Sequence, residues 1–118
     1  MSGPFVTIVV PTLNEQDCII GTLEDLACSA ARLDHEIIVA DGGSSDDTCR
    51  LVRAHAAQSG SVIRLIHNPK RIQSAAVNLA AREADGRATI LLRADAHCVY
   101  PRGFVPMPAL FARALSGR

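Results

Sequence analysis

Glu36-Ile37-Ile38-Val39-Ala40-Asp41-Gly42-Gly43-Ser44-Ser45 decides the fold. Its first five residues are rich in β-branched side chains and lack the polar alternation of a half-exposed strand, so Glu36 to Ala40 is predicted as a strand buried on both faces. An acid, two glycines and two serines then make a turn. Beyond it a helix is predicted from about Asp46 to Gln58, with Ser45 as its cap and Asp46 and Asp47 opposing the positive end of its dipole.

The same grammar repeats on either side. Upstream, Phe5 to Val10 is a short apolar run closed by Pro11, a first buried strand. Between Glu15 and Ala31, residues Ile19, Leu23, Leu26, Ala27 and Ala30 recur at helical spacing and leave Glu24, Asp25 and Arg32 off the apolar face. Downstream, Val62 to His67 is a third strand ended by Asn68-Pro69. Gln73 to Ala84 is an Ala-rich helix stopped by Asp85-Gly86, and Ala88 to Leu92 is a fourth strand. A short helical pattern, from about Ala109 to Leu115, closes the chain. Strands and helices that alternate with short connections require crossovers, and hence a mainly parallel, open, Rossmann-like α/β sheet with helices on both faces.

Composition agrees. At 118 residues the chain makes one domain, since two would need roughly 200 or more. Only 3% of it is aromatic, so Val, Ile, Leu and Ala must build the core. Twelve basic residues balance twelve acidic ones, and no net field draws the chain to nucleic acid. Cys18, Cys28, Cys49 and Cys98 show no C-x-x-C spacing, which argues against structural zinc and suggests reduced thiols in a cytoplasmic setting. No apolar run approaches the roughly 20 residues that span a bilayer, and no secretory leader is evident.

In an open α/β sheet, ligands bind beyond the carboxyl ends of the strands. The polar residues there are Thr12, Asn14 and Glu15, then Asp41, then Lys70 and Arg71, then Asp95 and His97. Asp41 can accept hydrogen bonds from a base edge or from ribose, and its glycines permit close approach of a flat ring. An acidic helix-capping turn explains that segment equally well. In Asp95-Ala96-His97 a carboxylate and an imidazole two residues apart can reach one cation, Mg2+ or Mn2+, bridging two phosphates. The competing reading is a surface turn.

Arg71 precedes a helix N-terminus and can fork onto a phosphate, whereas Lys70 reads as solvated. Asn78 either braces that loop or touches a ligand. Arg93 is a second phosphate contact or an ion-pair partner of Asp95. His35, His55 and His67 read as structural or surface residues. The Pro11 to Glu15 turn contains no glycine and is neither a dinucleotide fingerprint nor a P-loop.

Four blocks carry a resemblance: Val9-Val10-Pro11-Thr12-Leu13-Asn14-Glu15, Ala40-Asp41-Gly42-Gly43-Ser44-Ser45-Asp46-Asp47-Thr48, Asn68-Pro69 through Asn78, and Arg93-Ala94-Asp95-Ala96-His97. In this order and spacing they resemble the family-2 glycosyltransferases of the GT-A fold, in particular the succinoglycan-type exopolysaccharide transferases. Two positions depart from the usual pattern. Gly42 stands where a second acid is usual, and His97 replaces the last acid of D-x-D.

The resemblance implies inverting transfer of a sugar from a UDP-type donor to a glycan or lipid-linked acceptor, with full-length relatives at the inner face of the membrane. It puts nucleotide-sugar binding on Pro11, Thr12, Glu15, Asp41, Arg71, Asn78 and Asp95, and the metal on Asp95 and His97. It assigns no catalytic base to this chain, because the acceptor-binding half of the family would follow residue 118. The expectation is a truncated transferase that binds its donor without turnover, with a sheet edge left open after strand four for self-association. A non-catalytic nucleotide-binding or interaction module is the alternative.

Overall fold

The computed structural model describes residues 5–70, 73–96 and 111–114. Its elements, in chain order, are β1 (Phe5–Thr12), α1 (Ile19–Ser29), β2 (Asp34–Asp41), α2 (Thr48–Gln58), β3 (Val62–His67), α3 (Gln73–Glu83), β4 (Ile90–Arg93) and β5 (Phe111–Ala114). They form one five-stranded sheet in the order β3-β2-β1-β4-β5. The first four strands are mutually parallel, and β5 runs antiparallel to β4. The Rossmann-like, mainly parallel sheet expected from the sequence is the one observed.

Alternate residues of each central strand feed opposite faces. Val6, Ile8, Val10, Ile37, Val39 and Leu92 pack with Ile19, Leu23 and Leu26 of α1 and Val52 of α2. Val9, Ile38, Ala40 and Leu91 pack on the other face against Ala76, Val77 and Ala80 of α3. Ile37, Ile38 and Leu23 are wholly buried, each side chain contributing about 1.5–3 kcal/mol. The small residues of α3 let that helix lie close on the sheet.

One charge is sunk into the α3 face. Glu36 is 2% exposed, and its Oε2 accepts from the Thr7 hydroxyl at 2.8 Å and from the Asp85 N–H at 2.6 Å. Its Oε1 accepts from Arg64 Nη2 at 3.0 Å, and the same nitrogen reaches the carbonyl of Glu83. Strands β1, β2 and β3 and the end of α3 are thereby tied together near the amino ends of the strands.

Four expectations need correction. The chain end expected to be helical contains the strand β5, because an edge of β4 with unpaired backbone groups offers a ladder that an isolated turn of helix does not. The edge of β4 that was expected to stand open is therefore occupied by β5. Ser45 does not cap α2: the helix begins at Thr48, whose N–H donates to Asp46 Oδ1 at 2.9 Å. Cys18 is disulfide-bonded, while Cys28 and Cys49 are free thiols. Spacing along the chain does not report which cysteines meet in the fold.

Candidate functional site

Every strand of the parallel set ends on the same rim, and the register fixes who meets there. Thr12 is the partner of Asp41 across β1 and β2, and Val9 is the partner of Arg93 across β1 and β4. The Ala94 N–H continues that ladder to the Val9 carbonyl at 2.9 Å. Asp41 and Asp95 thus stand at the carboxyl ends of strands that flank β1 on either side. Two inter-strand spacings separate them, roughly 10 Å at the backbone.

Asp41 is 4% exposed and fully engaged. Its Oδ1 accepts from the hydroxyls of Thr12 at 2.8 Å and Ser44 at 2.5 Å, and its Oδ2 accepts from the N–H groups of Gly43 at 2.9 Å and Ser44 at 2.8 Å. Four donors occupy the four lone-pair directions of the carboxylate. Burial works to raise its pKa, but the hydrogen bonds from Ser44, Thr12 and Gly43 together outweigh that and lower it to about 2. Gly43 holds φ at 101°, a left-handed conformation that a side chain would strain and that turns both N–H groups back onto Asp41.

Two clefts flank the carboxyl end of β3. One, of about 220 Å³, is lined by Asp41, Cys49, Arg53, Leu65, Ile66 and His67. Burial and the neighbouring Asp41 push the Cys49 thiol up, so it is a poor nucleophile there. The other, of about 170 Å³, lies against α3 and includes Asn68, Lys70, Asn78 and Arg82. Asn78 therefore opens onto a cleft, and Lys70 beside it is exposed, as its loop position implies.

Asp95 lies half-exposed, with its Oδ1 3.1 Å from Arg93 Nη2. The ion-pair reading of Arg93 is thus the observed one. Glu15 is half-buried in the loop after β1, and Pro11 is half-buried beside Ala40. Arg71 and His97 lie outside the described residues. Among the described residues no three His, Cys, Asp or Glu side chains converge on a metal position. Asp95 would offer a hard cation one carboxylate ligand.

Thr12, Asp41 and Asp95 were legible as members of this rim because strand ends can be read from the sequence. The contributions of Ser44 and Thr48 were not, and neither was the cleft at Cys49 and Arg53. The first two depend on bonds from Asn14 and Glu15 some 30 residues away, and the cleft depends on α2 meeting the end of β3, none of which local spacing announces.

Comparison with known proteins places this geometry. Residues 7–114 match the family model described as glycosyl transferase family 2. The chain is 44% identical over 94 residues to the succinoglycan biosynthesis protein ExoA of Rhizobium meliloti, covering 80% of this chain and 28% of that protein. It is 36% identical over 93 residues to an undecaprenyl-phosphate 4-deoxy-4-formamido-L-arabinose transferase of Serratia proteamaculans, covering 76% and 28%. Among solved structures, a mannosyltransferase from Pyrobaculum calidifontis in complex with GDP-Man and Mn2+ superposes with a TM-score of 0.73 at 29% identity, over 87% of this chain and 30% of that one. The chain thus spans under a third of the length of each of these relatives.

Proposed function

The chain belongs to glycosyl transferase family 2, and on that footing we propose that it carries the donor site of an inverting glycosyltransferase that binds a UDP-linked sugar with Mg2+ or Mn2+. The observation that carries the proposal is the common rim: Asp41 and Asp95 close two parallel strands on either side of β1. A nucleoside at Asp41 and a diphosphate at Asp95 are the two halves of one ligand. The superposed mannosyltransferase, in complex with GDP-Man and Mn2+, supports a nucleotide sugar and a divalent cation as the ligands.

In this reading Pro11, Thr12 and Glu15 border the nucleoside on one side and Asp41 meets it from the other. Asp41 has no vacant lone pair, yet two of its donors are hydroxyls, which re-aim by rotation. A ring N–H of the base can take the place of either hydroxyl without moving the backbone donors. Arg71 adds a forked contact to phosphate or base, and Asn78 reaches the same side from α3. Asp95 and His97 hold the cation, which supplies charge neutralisation on the departing diphosphate. Arg93, ion-paired with Asp95, would be a second positive charge near the diphosphate.

The acceptor in this reading is a glycan or a lipid-linked sugar, and a lipid-linked acceptor would put the reaction at the inner face of the membrane. None of the helices in the described residues is long and apolar enough to cross a bilayer. The purified chain is expected to bind UDP, and binding should tighten by about tenfold when Mn2+ replaces chelator, the equivalent of one good phosphate contact. Calorimetric titration measures both. Absence of UDP binding under either condition would contradict the proposal and favour the interaction-module alternative.

A further inference from the structure

Two loops that the sequence separates by some 30 residues are joined by a set of hydrogen bonds in which Asn14 takes the largest share. Asn14 has φ of 55°, the only positive value of a non-glycine residue among the described residues. Asparagine tolerates that left-handed conformation better than most side chains. The conformation lets its N–H and its side-chain carbonyl face the turn after β2 together. The N–H donates to Ser44 Oγ at 2.8 Å, and Oδ1 accepts from the N–H groups of Ser45 at 2.8 Å and Asp46 at 3.3 Å.

The first of these bonds has a directional effect. With a lone pair of Ser44 Oγ taken by the Asn14 N–H, the hydroxyl proton is free to point at Asp41, to which it donates at 2.5 Å. Asn14 thus acts on Asp41 through Ser44. Further out, the Glu15 N–H donates to Thr48 Oγ1 at 2.8 Å, the Gln16 N–H to Asp46 Oδ2 at 3.3 Å, and the Asp47 N–H to Gln16 Oε1 at 3.1 Å. The arrangement is a clasp, with Asn14 as the member that holds both Ser44 and Ser45.

We propose that Asn14 is a positioning residue of the donor site: it locks the loop after β1 to the turn after β2, so that Thr12, Glu15 and Asp41 present one rigid rim to the nucleoside. The assignment rests on the donor-site reading above. Stability of the sheet does not need the clasp. Asn14 is exposed and buries no core surface, and β1 and β2 are already paired as far as Thr12 and Asp41, with the Gly42 N–H on the Thr12 carbonyl at 2.9 Å. A rim fixed before the ligand arrives does not lose that freedom on binding.

The test uses the full chain in three forms: wild type, Asn14→Gly, which keeps the left-handed backbone and removes the amide, and Asn14→Asp, which keeps an Oδ acceptor. Residue-resolved hydrogen exchange and UDP titration are measured on each. In Asn14→Gly the Ser45 and Asp46 amides should exchange about tenfold faster, with those of Ile8 and Ile38 unchanged, and UDP should bind about tenfold more weakly. In Asn14→Asp the Ser45 amide should stay protected. Unchanged exchange at Ser45 in the glycine variant, or acceleration spread evenly through the sheet, would overturn the clasp. Wild-type UDP affinity in that variant would overturn the positioning role even if the clasp opens. A wild-type chain that binds no UDP would instead remove the donor-site reading, and the positioning role with it.

Discussion

Thr12 and Asp41 are backbone partners at the last rung of the β1–β2 ladder, and their side chains close the same rung with a 2.8 Å hydrogen bond from Oγ1 to Oδ1. The carboxylate is therefore held by its neighbour strand as well as by its own turn. Replacing Thr12 with valine keeps the shape and removes the donor. The variant should lose about 1.5–3 kcal/mol of stability in urea denaturation, the worth of one hydrogen bond to a charged acceptor. Asp41→Asn should lose more, because an amide NH2 would face donors it cannot accept from.

Acid should find the same carboxylate. The folded-state pKa of Asp41 is lowered from 3.8 to about 2, so folding favours its charged form. That contribution is complete above about pH 4 and is lost as the pH falls through about 2. Asp85, lowered to about 2 chiefly by its hydrogen bond from Arg87, acts in the same window and in the same direction. Melting temperature measured between pH 5 and pH 2 should fall for the wild type and fall less steeply for Asp41→Asn. Identical slopes would show that Asp41 titrates alike in the folded and unfolded chains.

Glu36 offers a control away from the rim. Its carboxylate joins Thr7, Arg64 and Asp85 in the α3 face. Glu36→Ala leaves those donors without their acceptor and should destabilise the chain by about 3–5 kcal/mol. Under conditions where the variant remains folded, its UDP affinity should match that of the wild type, as the network lies near the opposite end of the strands. Denaturation and titration on one sample separate the two effects.

The parallel strands and the rim were readable because buried parallel strands announce themselves as unbroken apolar runs such as Ile37-Ile38-Val39. The polar residue that ends each run then has to lie at the carboxyl edge. Phe111–Ala114 was not readable: four residues of mixed character suit a helix or a strand, and the unpaired edge of β4 decides. The start of α2 was misjudged for a related reason. Ser45 looks like a cap in sequence, but its hydroxyl donates to Asn14 Oδ1 in the other loop, and Asp46 Oδ1 accepts the Thr48 N–H instead. Long-range hydrogen bonds of this kind leave no periodicity behind them.

The metal reading makes its own demand on Asp95. With Asp95→Ala, the gain in UDP affinity on adding Mn2+ should disappear while the metal-free affinity stays within about threefold, because in this reading Asp95 meets the diphosphate only through the cation. Calorimetry with and without chelator measures each term. A Mn2+ gain that survives the substitution would move the cation away from Asp95.

The most direct test is a UDP titration of the 15N-labelled chain in the presence of Mg2+, followed amide by amide. Signals of Thr12, Glu15, Gly43 and Ser44 on one side and of Ala94 to Ala96 on the other should shift together along one binding curve. Shifts gathered instead around Phe5, Asp34 and Gly86 would put the nucleotide at the amino ends of the strands, and the common-rim account would be wrong.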